Sequence, residues 1–218
     1  MAHIFSSSIG KKLVMSLSGL FLIVFLLLHL GINLLAVASE EAYNAACHFM
    51  DTNVLVQIMV PVLALGFFIH IVYAIALTWH NMRARPVSYA VGNKAKATFA
   101  SRNMFVLGLV VLGFCGVHLS HFWAEMQLQH FLGKDGHPNP YQLVKTVLET
   151  PLWAVVYLAW FAALWFHLTH GFWSAFQSIG LNNQTWIPRL RIASTALATL
   201  IMAGYAGVVL WFLLGFAK

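Results

Sequence analysis

Long apolar segments alternate with short polar connections along the whole chain. A helix that crosses the ~30 Å hydrocarbon core of a bilayer needs roughly 20 consecutive, predominantly apolar residues. Five segments of the 218-residue chain reach that length, and they cover residues 13–38, 54–80, 103–126, 151–178 and 192–216. The pattern predicts an all-α integral membrane protein, in which residues 1–218 form a single domain, a five-helix transmembrane bundle.

The composition agrees with this prediction and excludes several classes of protein. Hydrophobic residues make up 61% of the chain and charged residues only 8%, whereas an ordinary soluble domain carries about 25% charged residues. So few charges cannot cover a water-soluble globule, which excludes a soluble enzyme, a disordered chain and a secreted disulfide scaffold. Cys47 and Cys115 form no CxxC pattern, so neither a zinc site nor covalent haem attachment is indicated.

The charged residues of the connections predict the orientation of the bundle. One side carries nine basic residues and no acid, namely Lys11, Lys12, Arg83, Arg85, Lys94, Lys96, Arg102, Arg189 and Arg191. The other side carries three lysines and all six acids, namely Lys134, Lys145, Lys218, Glu40, Glu41, Asp51, Glu125, Asp135 and Glu149. Because basic residues are retained on the cytoplasmic side, the N-terminus is expected in the cytoplasm and the C-terminus outside.

Four of the eleven histidines lie deep inside the predicted spans, one in each of the first four. They are His29, His70, His118 and His167. An ionisable side chain at this depth is costly, so a functional role is the default hypothesis.

The depths of these histidines match in pairs. With a rise of 1.5 Å per residue, His29 and His118 lie roughly 22–24 Å from the inner start of their spans. His70 and His167 lie roughly 23–24 Å from the outer start of theirs, because these spans run in the opposite direction. The arithmetic predicts an outer pair and an inner pair at levels about 15–20 Å apart.

Two imidazoles from facing helices are the axial ligand set of a b-type haem, whereas zinc takes a third or fourth protein ligand. Iron held by two protein ligands has no open position for a substrate, so electron transfer is the expected task. Ser18, Gly19, Gly66 and Gly171 would make room for the flat macrocycle, although close packing of membrane helices accounts for small residues equally well.

Two further features leave alternatives open. His170 lies one turn beyond His167 and partly on the same face, so it is a second candidate ligand that the depth arithmetic disfavours by one turn. The segments that precede His29 and His118 are similar, FLLLHL and FCGVHL, which is consistent with a duplicated helical hairpin.

Several motifs resemble the b558-type cytochrome b subunit of bacterial succinate dehydrogenase and fumarate reductase. They are residues 8–19 (SIGKKLVMSLSG), 29–34 (HLGINL), 83–90 (RARPVSYA), 100–104 (ASRNM) and 167–173 (HLTHGFW). The resemblance extends over nearly the whole chain and all five predicted spans.

The resemblance implies a single membrane anchor with two b haems in the bacterial cytoplasmic membrane. It implies partner subunits on the cytoplasmic face, a flavoprotein with FAD and an iron–sulfur protein. It also implies His29 and His118 as ligands of the outer haem and His70 and His167 as ligands of the inner one. The family pattern of a ligand, three residues, Gly and an aromatic residue favours His167, since Gly171 and Phe172 follow it.

The same resemblance implies that electrons from succinate reach a quinone, usually menaquinone, through the two haems. The chain has no flavin-binding or iron–sulfur-binding motif, so no succinate chemistry is expected from it alone. One branch of fumarate reductases carries a Glu two positions before the fourth ligand, where this chain has Trp165. A tryptophan cannot carry a proton, which favours succinate oxidation over fumarate reduction.

The expected quinone-binding residues lie outward of the outer pair. They are Asn33, His121 and Glu125, although the same residues could only hydrate the interface. An inner quinone site near Ser16 and Arg102 is the alternative, and Ser16 could instead bond a haem propionate.

Two rival functions remain. A dihaem anchor of a formate dehydrogenase, nitrate reductase or hydrogenase also has four or five spans, but it commonly places two ligands on one helix. A haem-free transporter with a histidine proton relay would need substrate-coupling residues within its helices, and charged residues are nearly absent there.

Overall fold

The computed structural model describes residues 7–83, 98–129, 132–133 and 138–217, and every regular element in them is helical. The helices are α1 (Ser8–Ala38), α2 (Glu40–Thr52), α3 (Val54–Arg83), α4 (Phe99–Arg102), α5 (Met104–His118), α6 (Pro140–Glu149), α7 (Pro151–Ser178) and α8 (Trp186–Leu213). After His118, α5 continues as a π-helical segment, Leu119–Leu128.

Five helices are long and apolar enough to cross a membrane, as the hydropathy pattern predicts. They are α1, α3, α5 with its π-helical segment, α7 and α8. The chain is therefore a multi-pass membrane protein. The bounds of α7 are the predicted ones, whereas α8 begins at Trp186 instead of residue 192. The predicted start at residue 192 would leave Pro188 in the connection, but Pro188 lies in the first turn of α8, where its missing N–H costs nothing.

The first and fourth spans, α1 and α7, lie at the centre of the bundle, since each packs against three other spans. α1 packs against α3, α7 and α8, while α5 packs against α7 and barely contacts α3. The buried core lies where α1, α7 and α8 meet, and its members include Ile23, Leu164, Ala198 and Ile201. No described residue of α3 is fully buried, so most of its apolar surface faces outward, as expected for lipid contact.

Two side-chain hydroxyls of α8 tie it to its neighbours. Ser194 is completely buried, and its one hydroxyl proton is shared between the carbonyls of Leu168 and Thr169 on α7, at 3.0 and 2.8 Å. Tyr205 donates to the carbonyl of Leu26 on α1, at 2.8 Å. All three contacts join helices within the apolar depth, where no water can replace them.

Two short helices that the hydropathy pattern does not predict cover one end of the bundle. α2 and α6 pack on each other and bury Tyr43, Cys47, Tyr141 and Leu148 in one cluster with Phe212 of α8. At their polar edge, the Glu40 carboxylate accepts hydrogen bonds from the side chains of Asn139 and Gln142. We call this pair of helices the outer cap, because the charge pattern predicts that this end of the bundle faces outward.

The charges of the described residues separate to opposite ends of the bundle. One end carries Lys11, Lys12, Arg83, Arg102, Arg189 and Arg191, and the other carries Lys145 with Glu40, Glu41, Asp51, Glu125 and Glu149. Arg85, Lys94, Lys96, Lys134, Asp135 and Lys218 lie outside the described residues.

Candidate functional site

The outer histidine pair joins α1 and α5. His29 and His118 lie with their ring centroids 5.8 Å apart and their planes nearly perpendicular, at 85°. His118 is the last α-helical residue before the π-helical segment. The pair is surrounded by aromatic rings, Phe25 and Tyr205 beside His29, and Phe122, Tyr157 and Trp160 beside His118.

The inner pair joins α3 and α7. His70 and His167 have ring centroids 6.4 Å apart and an interplanar angle of 67°. Each imidazole lies against a glycine of another helix. A Cβ at Gly19 would lie 3.3 Å from Cε1 of His70, and a Cβ at Gly108 would lie 3.6 Å from Cε1 of His167.

The donor set of both pairs fits a metal ion held from opposite sides. A metal–imidazole bond is about 2 Å long, so two rings that ligate one ion have centroids on the order of 6 Å apart. The Nδ1 atoms of His118, His167 and also His170 are buried without a hydrogen bond among the described residues, so this feature does not distinguish the paired histidines from His170. No cluster of three or more His, Cys, Asp or Glu side chains that could hold a metal lies in the described part of the chain. Two imidazoles at each level therefore fit haem iron, whose remaining ligands come from the porphyrin.

His170 does not join the inner pair. The His170 ring contacts the Trp173 ring, with centroids 5.0 Å apart. The guanidinium of Arg191 lies over the same Trp173 ring, 4.6 Å from its centroid. The ring that lies against His70 belongs to His167.

The four small residues expected to make room for a ring divide into two groups. Ser18 and Gly19 lie directly against His70. Gly66 instead faces Phe21, since a Cβ there would come within 2.6 Å of the ring, and Gly171 faces Met104. These last two glycines thus give space to side chains of neighbouring helices.

The hydroxyl of Ser16 is buried and donates to the carbonyl of Lys12 at 2.8 Å. A serine hydroxyl has a single proton, so in this conformation Ser16 has none to offer to a carboxylate such as a propionate.

The three residues expected to bind quinone lie in different settings. The side-chain nitrogen of Asn33 donates to the carbonyl of His29 at 2.8 Å. Nδ1 of His121 lies 3.2 Å from the hydroxyl of Tyr157, and its ring lies 4.3 Å from that of Trp153. Glu125 is exposed, and no hydrogen bond among the described residues joins it to the other two.

The residues that the sequence analysis misses are mainly those around the outer pair. Trp153, Tyr157 and Trp160 lie at i, i+4 and i+7 on α7 and present one aromatic face to His118 and His121. That spacing was a usable signal. The sequence also contains a signal for Gly108, which precedes His118 by ten residues, as Gly19 precedes His29.

Comparison with known proteins assigns a relative to the chain. No family model and no solved structure matches it. The chain is 27% identical over 191 residues to the succinate dehydrogenase cytochrome b558 subunit of Bacillus subtilis (strain 168), and the match covers 85% of each protein. The predicted resemblance is confirmed, since the chain is similar along most of its length to a succinate dehydrogenase cytochrome b558 subunit.

Proposed function

We propose that this chain is the dihaem membrane anchor of a succinate:quinone oxidoreductase and passes electrons between an iron–sulfur subunit and menaquinone. The observation that carries the proposal is the meeting of four partly buried histidines, one from each of four spans, in two pairs. Anchors that place two ligands on one helix have a different pattern.

In this proposal His29 and His118 hold the outer haem, and His70 and His167 hold the inner one. Bound haem b supplies an iron that exchanges one electron at a time and has no open coordination position when two imidazoles hold it. The protein contributes neutral nitrogen ligands, helices that fix their separation, and an apolar surrounding. The aromatic rings beside His29 and His118 contribute apolar surface at that level.

For the quinone we propose a site near the outer pair that uses His121 and Tyr157. Tyr157 contacts the ring of His118 and shares a hydrogen bond with His121, so it links the outer pair to a partly exposed imidazole. An imidazole hydrogen-bonded at one nitrogen can use the other for a quinone carbonyl. Asn33 and Glu125 remain candidates for the same site.

We further propose that the basic end of the bundle faces the cytoplasm and meets the flavoprotein and iron–sulfur subunits. Three arginines at this end, Arg83, Arg189 and Arg191, each lie over a tryptophan ring at 4.6 to 5.7 Å. Such stacking holds guanidinium groups at the interface between the membrane and the aqueous phase. An acidic surface on a partner would complement this end.

An absorption spectrum with haem quantification tests the proposal on the complex in native membranes. We expect two b-type haems per chain, both reduced by succinate. His70→Ala and His167→Ala should each remove the inner haem and leave the outer one, whose spectrum then reports that the chain is folded. His29→Ala and His118→Ala should do the reverse.

Two matched controls complete this experiment. His170→Ala should retain both haems, and so should His48→Ala, because His48 lies exposed on α2. A colourless complex would refute the proposal. Two intact haems in His167→Ala, with one lost in His170→Ala, would overturn the inner ligand assignment.

A further inference from the structure

The hydroxyl of Ser18 on α1 bridges a backbone carbonyl and one of the inner imidazoles. Ser18 is 9% exposed. Its Oγ lies 3.0 Å from the carbonyl oxygen of Met15 and 3.2 Å from Nδ1 of His70. A carbonyl can only accept a hydrogen bond, and the hydroxyl has one proton. Ser18 therefore donates to Met15 and accepts from the Nδ1–H of His70.

This direction determines the tautomer of His70. A neutral imidazole carries one N–H and one lone pair, so a proton on Nδ1 leaves the lone pair on Nε2. Nε2 is then the nitrogen available to an ion between His70 and His167. A hydrogen bond at the remote ring nitrogen orients a metal-bound histidine and makes it a stronger donor.

We propose that Ser18 is a positioning residue, which holds His70 in its ligating tautomer and lowers the reduction potential of the inner haem. This inference rests on the proposed dihaem function and adds how the protein sets the reduction potential at the inner of the two haem sites. A stronger imidazole donor stabilises the oxidised, more positively charged iron over the reduced form.

The adjacent glycine makes this contact possible. A Cβ on Gly19 would lie 3.3 Å from the His70 ring, tighter than an ordinary contact. The absence of that side chain lets the backbone of α1 approach the imidazole, which brings the neighbouring hydroxyl within hydrogen-bond distance. Ser18 and Gly19 together thus form the surface of α1 against which His70 packs.

His167, the other histidine of the inner pair, also lies against a glycine, but the residue before that glycine carries no hydroxyl. Gly108 lies against His167 as Gly19 lies against His70, and each glycine precedes the outer-pair histidine of its own helix by ten residues. The position that corresponds to Ser18 is the buried Leu107. Nδ1 of His167 has no hydrogen-bond partner among the described residues. The two inner ligands are therefore unequal, and the difference is one side chain.

Ser18→Ala tests the proposal in the assembled complex by redox titration and by electron paramagnetic resonance of the oxidised haems. We expect two haems per chain and an inner-haem midpoint that is more positive. The expected change in the redox equilibrium is roughly two- to tenfold, the scale of one hydrogen bond, or about 20 to 60 mV for a one-electron couple. The outer-haem midpoint should stay unchanged. Ser18→Thr keeps a hydroxyl and should restore both the midpoint and the resonance signal.

Two further variants complete the test. Ser178→Ala removes a hydroxyl that bonds only to its own helix, at the carbonyl of Ser174, and should change neither midpoint. Leu107→Ser places a hydroxyl beside His167 and should shift the inner midpoint to more negative values, measured in preparations that retain both haems.

The outcomes separate the inference from the proposed function. An unchanged inner midpoint and signal in Ser18→Ala, with both haems present, would overturn the inference and leave the dihaem function standing. Loss of the inner haem in Ser18→Ala supports the inference if Ser18→Thr restores it and overturns it if Ser18→Thr does not. A wild-type complex without haem would overturn both.

Discussion

The hydroxyl of Tyr205 donates to the backbone carbonyl of Leu26 across 179 positions of the chain. The bond joins the fifth span, which carries no inner or outer histidine, to the first. The Tyr205 ring also lies 6.0 Å from that of His29. The fifth span thus contacts the outer pair at His29.

Tyr205→Phe tests how much this bond stabilises the bundle. The ring stays and one hydrogen bond is lost, so we expect a destabilisation of about 0.5–1.5 kcal/mol. Thermal unfolding of the protein in detergent would measure it. Tyr73→Phe is the control, because Tyr73 forms no hydrogen bond or ring contact within the described residues. Equal melting temperatures for the two variants would contradict the prediction.

Ser194→Ala removes the buried hydroxyl that joins α8 to two carbonyls of α7. We expect a loss of about 0.5–2 kcal/mol, because both carbonyls keep their helical bonds and only the link between the helices is lost. Thr195→Ala is the matched control, since that hydroxyl is exposed and bonds within its own helix to Arg191. The melting temperature should fall in Ser194→Ala and stay nearly unchanged in Thr195→Ala.

Gly19→Val should remove the inner haem and spare the outer one. The new side chain would begin 3.3 Å from Cε1 of His70 and displace that ring from the inner pair. Gly31→Val on the same helix is the control, because nothing lies within 4 Å of a Cβ there. Haem content and the reduced spectrum measure both variants. Retention of two haems in Gly19→Val would contradict the prediction, because His70 would then still ligate the inner haem.

Tyr157→Phe should slow quinone reduction while both haems remain. The substitution keeps the aromatic contact with His118 and removes the hydroxyl that bonds to Nδ1 of His121. We expect a several-fold higher KM for quinone, measured by steady-state reduction with succinate as donor. Tyr73→Phe again serves as control. Unaltered kinetics would place the quinone site elsewhere.

The thiol of Cys47 in the outer cap should resist alkylation at neutral pH. The pKa of Cys47 is raised to about 11, because burial raises it more than the hydrogen bond with Tyr43 lowers it and the nearby Asp51 charge adds to the increase. The folded-state pKa lies above the unfolded one. The associated stability is therefore fully present below about pH 8.5 and is lost as the pH rises through 11. The rate of labelling with iodoacetamide across this pH range, in folded and in denatured protein, measures the pKa of the thiol in each state. Fast labelling of folded protein at pH 7 would contradict it.

The sequence determined the number of spans, and the predicted depths of the four histidines indicated which of them meet in pairs. A continuous apolar segment has one stable state in a bilayer, and a rise of 1.5 Å per residue converts position into depth. The outer cap was predictable only in retrospect, from Tyr43 and Cys47 at i and i+4 and from Pro140 at the start of α6. Neither helix is long or apolar enough to stand out in a hydropathy pattern.

The rotation of each span about its own axis was decided only by the tertiary structure. In a soluble bundle the apolar face shows which side is buried, but in a membrane lipid and protein are both apolar, and α3 buries none of its described residues completely. Hydrophobicity therefore could not tell that Gly66 faces Phe21 while Gly19 faces His70. The same holds for the hydrogen bond that Ser18 accepts from His70, since it depends on how closely two backbones approach each other.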